Sequence, residues 1–172
     1  QAVSTFCAAI DAAGIRDRFY RLNLFAGTGL NAALVPLYRG QSRTGTQYGN
    51  TTDTNVGTFV SSDYNETGAS SGLKGNGSSK YLNTGFPGNT IAGSSLHMGI
   101  GLLATQTGGA AYKQALGIYF NPTAWFAIYV RKNDAVPNAH FGAYATSNAG
   151  DVVNTSSLAV GNIVAAYPSV FR

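Results

Sequence analysis

Ala124-Trp125-Phe126-Ala127-Ile128-Tyr129-Val130-Arg131 is the stretch that decides the fold. Phe126, Ile128 and Val130 occupy one set of alternate positions, and Trp125, Tyr129 and Arg131 the other. Successive side chains of a β-strand point to opposite faces, so this pattern predicts a strand with one aliphatic and one aromatic face.

The same sorting recurs on either side. Over 95–104, Leu96, Met98, Ile100 and Leu102 oppose His97, Gly99 and Gly101. Over 115–120, Leu116, Ile118 and Phe120 oppose Gly117 and Tyr119, and over 139–146, Phe141 opposes His140, Gly142 and Tyr144. Strands are therefore predicted at 95–104, 115–120, 124–131 and 139–146. Asn121-Pro122-Thr123 is short enough for a hairpin, while Lys132 to Asn138, with Asp134 and Pro137, makes a longer turn. Residues 151–165 predict one more strand pair, around Val152-Val153 and Leu158 to Val164. The aliphatic faces supply the core of a two-sheet antiparallel sandwich.

The first half is written differently. Residues 4–13 read as a helix, with Ser4 as N-cap, Gly14 as its stop, and Val3, Cys7 and Ile10 at helical spacing. Tyr20, Leu22 and Leu24 then alternate with Arg21, Asn23 and Phe25 as a strand, ended by Ala26-Gly27-Thr28-Gly29. An apolar stretch from Asn31 to Leu37 is broken by Pro36. Residues 39–57 predict a long surface excursion with little regular structure, followed by a short strand at 57–61 around Phe59. A second turn-rich tract covers 63–95. The division expected is an N-terminal helix and attachment segment at 1–18 and a β-sandwich at 19–172.

Composition agrees with an all-β chain. Only 10% of the 172 residues are charged, against about 25% in ordinary soluble domains. Exposed helix faces are usually written in Glu and Lys, so scarce charge argues for strands whose outer positions are Ser, Thr, Asn and Gly. Net charge is +4, but the basic residues are scattered apart from Arg16, Arg18 and Arg21. No basic stripe runs beside stacking aromatics, which argues against nucleic acid. No apolar run reaches the ~18 residues of a membrane span, so no membrane insertion is expected. Cys7 is the single cysteine and reads as a small core residue. Asn50-Thr-Thr, Asn65-Glu-Thr, Asn76-Gly-Ser and Asn154-Thr-Ser match glycosylation sequons, as chance provides in a chain so rich in these residues.

Reactive constellations are sparse. The acids are Asp11, Asp17, Asp53, Asp63, Glu66, Asp134 and Asp151, and no predicted strand carries two of them. Asp63 and Glu66 lie close in sequence in a turn-rich tract, which reads as a solvated loop before it reads as a glycosidase pair. His97 and His140 lack ligand-spaced partners, so no metal is expected. No Gly-x-Ser-x-Gly elbow is present, and the Gly72 to Lys80 run places Ser78 where a phosphate loop needs Lys. The feature with binding chemistry is the aromatic face. Tyr119, Trp125, Tyr129, Arg131, His140 and Tyr144 are the candidate ligand or subunit contacts, of the types favoured both at sugar sites and at subunit interfaces. Packing beneath the chain's own loops is the structural alternative.

Three stretches carry a family resemblance: Ala12-Ala13-Gly14-Ile15 with Phe19 to Gly27, Ala32 to Gly40, and Leu73-Lys-Gly-Asn-Gly-Ser-Ser-Lys-Tyr-Leu-Asn-Thr-Gly-Phe86. The third is similar to the "G-D-G-S-x-x-Y-L-D-T-G-F" phrase of phage-encoded proteins with a concanavalin A-like or laminin-G-like sandwich. The resemblance covers about half the chain. It implies an all-β jelly-roll sandwich with a short N-terminal helix, serving as a non-enzymatic bacteriophage virion protein: a fibre, collar, decoration or tail-tip domain. Such a protein would work in the extracellular particle, against other virion proteins and copies of itself, without a cofactor. The alternatives are a carbohydrate-binding module that reads a host surface glycan and, behind it, a glycosidase. Domains of that group continue past a point like Arg172, so the sandwich is expected to be incomplete there. Asn76 and Asn83 stand where the phrase has aspartates, which argues against calcium at this loop.

Overall fold

A computed structural model describes residues 1–40, 46–68, 71–88, 96–103, 113–121, 124–131, 138–145, 152–157 and 161–167. The described chain is mostly strand, with two α-helices and several small antiparallel sheets, none of which closes into a barrel. It divides into two compact units. The first holds residues 1–68, 72–75 and 79–86, and the second 69–71, 76–78 and 87–172.

The first unit opens with α1, Ala2–Ala12. It starts earlier than the Ser4 cap predicted. The Thr5 N–H and hydroxyl both donate to the Gln1 carbonyl, at 3.0 and 3.1 Å, so the turn before Ser4 is already closed. The stop is where the sequence places it: Gly14 takes φ +63 and its N–H reaches the Asp11 carbonyl. Of the predicted stripe Ile10 is buried and Cys7 half-buried, while Val3 in the first turn is exposed.

A single 3-10 turn, Arg16–Arg18, leads to β1, Arg21–Leu22, which pairs antiparallel with β2, Tyr38–Arg39. The strand expected over Tyr20 to Leu24 shrinks to two residues because Phe25 turns left-handed at φ 49. Between them, Leu30–Ala33 forms the short helix α2, and Ala33, Leu34 and Pro36 are buried.

The excursion over 39–57 has the little regular structure expected among its described residues, but it is corrected at its ends and in its burial: Arg39 belongs to β2, Thr54–Val56 form the strand β3, and Asp53 is only 3% exposed. Residues 41–45 lie outside the described chain. The strand predicted at 57–61 is also corrected. Gly57 and Thr58 both take positive φ, near 71 and 58, and a 3-10 turn follows at Ser61–Asp63. A side chain at Gly57 would place its Cβ 2.1 Å from the Ser79 carbonyl oxygen, so backbone contact and not alternation sets this segment. Phe59 is nevertheless buried. In the turn-rich tract, β4 (Tyr64–Asn65) pairs with β5 (Gly72–Leu73), and β6 (Tyr81–Asn83) pairs with β3.

The second unit contains β7, Leu96–Leu102; β8, Lys113–Asn121; β9, Ala124–Arg131; β10, Asn138–Ala145; β11, Val152–Ser157; and β12, Gly161–Tyr167. These match the predicted segments closely. Asn121 pairs with Ala124, which makes the expected tight β8–β9 link; Pro122, Thr123 and the longer turn at 132–137 lie outside the described residues. β8 to β11 form one sheet in the order β11-β10-β9-β8, and β7 pairs with β12 in another. The last two strands were expected as a pair. Instead β11 joins β10 and β12 crosses to β7, so each edge ladder extends a strand laid down earlier.

Register bears out the sorting of faces. Leu116 and Phe141 both oppose Ile128, and Ile118 opposes Phe126, so the aliphatic positions share one face. Ile128 is fully buried, as is Met98 nearly so on β7, while His97, Gly99 and Gly101 are exposed.

Candidate functional site

Backbone register assembles the aromatic set. Tyr119 pairs with Trp125, and Trp125 with Tyr144, making one row across β8, β9 and β10. Tyr129 pairs with His140 and His140 with Val153, making a second row, which Gln114 joins opposite Tyr129 through a register shift that separates it from Leu116. Arg131 pairs with Lys113 at the end of the same ladder. Directly opposed residues of an antiparallel pair lie on one face, and i, i+2, i+4 of a strand share it. All six candidates therefore belong to a single sheet face, although 25 residues separate Tyr119 from Tyr144 in sequence.

Sequence reasoning missed what lies between the rows. Gly117, Ala127 and Gly142 form a middle row of small residues. A Cβ on Gly117 would fall 1.6 Å from the Gln114 amide nitrogen and 3.3 Å from the Ala127 methyl, so the Gln114 side chain occupies the space above Gly117. Ala127 is fully buried even though it shares the face of Trp125 and Tyr129, and Ile128 is fully buried on the other side. A row of small residues, with the Gln114 amide over Gly117, thus lies in register between the two rows of candidate positions.

No family model matches this chain, and neither a curated protein nor a solved structure does.

The first unit holds polar clusters that the sequence did not announce. Arg21 and Asn23 both donate to the buried Asp53 carboxylate, whose own backbone N–H donates to the Leu34 carbonyl at 2.9 Å. Arg21 also reaches the Asn50 carbonyl at 3.3 Å, while its buried Nε has no hydrogen-bond partner among the described residues. The signal was available in part, since Arg21 and Asn23 are alternate residues and so share a face. Nothing in the local pattern pointed to Asp53, which stands 32 residues further on. Tyr20, Tyr48 and Phe86 make a second cluster, with ring centroids 5.4 to 5.9 Å apart. Cys7 lies beside Tyr38, whose ring also carries the Arg16 guanidinium at 5.0 Å.

Asp63 and Glu66 sit in different surroundings. Asp63 accepts from the Lys80 ammonium and, at 2.8 Å, from the Val60 N–H, and these two donors hold its carboxyl below the usual range. Glu66 is exposed. The two histidines, His97 and His140, belong to different sheets, on β7 and β10. Among the described residues, no three His, Cys, Asp or Glu side chains gather as a metal site would need, and no helix is long and apolar enough to cross a membrane. An open depression of about 410 Å³ is lined by Thr28, Gly29, Leu30, Asn31, Ala32 and Ser61, with no ionisable group among them.

Proposed function

We propose that this chain is a non-enzymatic structural component of a bacteriophage virion, a concanavalin A-like jelly-roll sandwich that works through contacts with copies of itself and with other virion proteins. The observation that carries the reading is the register of Tyr119, Trp125 and Tyr144 beside Tyr129, His140 and Arg131 on one sheet face. Tyr, Trp and Arg are the residue types from which subunit interfaces draw most of their energy. The family resemblance of the Leu73 to Phe86 phrase supplies the virion, and the low charge of the chain suits a surface that buries against neighbours. The two sheets of the second unit, with Ile128 and Met98 buried, support the sandwich. The test is particle microscopy with the chain located by label, together with sedimentation of the purified protein. An oligomer that Trp125→Ala dissociates, found on particles, is expected; a monomer absent from particles overturns the reading.

A second reading rests on the middle row. A row of Gly117, Ala127 and Gly142 between the two rows of candidate positions, with the Gln114 amide over Gly117, offers a sugar ring both a stacking wall and a hydrogen-bonding group. This carbohydrate-recognition reading expects glycan binding that Trp125→Ala removes while the oligomer persists. A blank glycan array ends it.

A further inference from the structure

The turn between β5 and β6 in chain order points to a chemical modification site. Asn76 is followed by Gly77, the single Asn-Gly step in the sequence. Its side chain is exposed, and its Oδ1 accepts the Ser78 backbone N–H at 3.0 Å. That hydrogen bond folds the side-chain amide back over the following peptide. Gly77, at φ +69, has no Cβ to shield its nitrogen from the Asn76 Cγ.

We infer that Asn76 is the built-in site of spontaneous deamidation in this protein. The Gly77 backbone nitrogen attacks Asn76 Cγ and forms a new N–Cγ bond. As it does so, negative charge builds on Oδ1, where the Ser78 N–H already points, which is the arrangement that lowers such a barrier. The Cγ–Nδ2 bond then breaks, and Nδ2 leaves as ammonia with the proton that Gly77 gives up. The product is a five-membered imide. Water, which reaches an exposed turn freely, opens it at either carbonyl to give aspartate or isoaspartate. Nothing but water is consumed. Formal net charge falls from +4 by one unit, and the new carboxylate stands between Lys74 and Lys80 in sequence.

The experiment ages the folded full chain in mildly alkaline buffer made with ¹⁸O-water, follows charge by isoelectric focusing, and maps mass after trypsin. Cleavage after Lys74 and Lys80 releases residues 75–80, which contain Asn76 as their one asparagine. In an ordinary-water control that peptide gains only the mass difference between an amide and an acid. In the ¹⁸O-water buffer it gains one labelled solvent oxygen, and part of it becomes a substrate for an isoaspartyl methyltransferase. This peptide changes before any other asparagine peptide, and Asn76→Gln, an exposed replacement that cannot close the five-membered ring, abolishes the early acidic band. A first mass gain in another asparagine peptide overturns the inference. So does an acidic band that survives Asn76→Gln, or aspartate formed without isoaspartate.

Discussion

β1 meets β2 over two residue pairs and β4 meets β5 over two, whereas β9 meets β10 over six and β7 meets β12 over seven. A two-residue ladder cannot hold itself together in water, since even a full isolated hairpin is marginal. The first unit compensates with side chains. Asp53 ties β1 to the 34–53 segment, the Tyr64 hydroxyl reaches the Phe25 and Gly27 carbonyls at 3.1 and 3.0 Å, and the Asn55 amide brackets Phe59 through both its N–H and its carbonyl. The second unit is built from backbone ladders with aliphatic side chains on one face. Scarce charge is therefore placed where ladders are shortest: five of the seven acids lie before residue 69, and the ion pairs described are Asp11–Arg16, Asp53–Arg21 and Asp63–Lys80.

The sharpest way to break this contrast is Asp53→Ala. It leaves the Arg21 guanidinium, 10% exposed, without its carboxylate, and breaking one side of a buried pair costs about 3–5 kcal/mol. Denaturant unfolding measures the loss, and hydrogen exchange locates it. Amides of β1, β2 and β3 should lose protection first, with β8 to β10 holding theirs. Equal loss in both units would show that one cooperative unit is held by the clamp, and the comparison would fail. Ile128→Ala is the mirror test in the second unit. Emptying a fully buried aliphatic site costs about 3 kcal/mol, and here the protection of β8 to β10 should fall first. Next in size is Tyr64→Phe, which removes one donor from the carbonyls of a tight turn for a cost of about 1 kcal/mol, seen as a small drop in Tm.

The same contrast explains what was legible in the sequence. In β9 six of the eight residues report their face, all but the two alanines, because both faces are defined by chemistry and the period of two runs through the strand. The candidate rows could be nominated strand by strand, yet their union needed register, which no single strand encodes: Tyr144 meets Trp125 only because β10 returns antiparallel at that offset. In the first unit the signal is too short to read. Tyr20 to Phe25 alternates well enough to predict a strand, but a left-handed Phe25 ends the ladder after Leu22, and the tertiary hydrogen bonds of Tyr64 hold that bend. Phe59 was read as the centre of a strand and is not one: the bond of its N–H to the Asn55 side chain and the tight Gly57–Thr58 turn decide its backbone, and its burial follows from them. Asp53 was invisible because a buried carboxylate looks like a loop carboxylate until its partners are known.

The smallest effect sharpens the comparison through pH. The Asp63 carboxyl is held below its ordinary value chiefly by the Lys80 ammonium and then by the Val60 N–H. In the unfolded chain it returns to about 3.9. A carboxyl with a lower pKa when folded binds fewer protons than its unfolded counterpart. Its contribution is therefore complete above pH ~4 and drains away as pH falls from there through the folded value. Asp63→Asn should be less stable than the parent at neutral pH and approach it in acid, so the two stability curves converge on the acid side. Lys80→Met should do the same less fully, because Val60 still donates. Parallel curves for parent and Asp63→Asn would mean that this carboxylate contributes no ionic tie, and that the 3-10 turn at Ser61–Asp63 is held by its backbone alone.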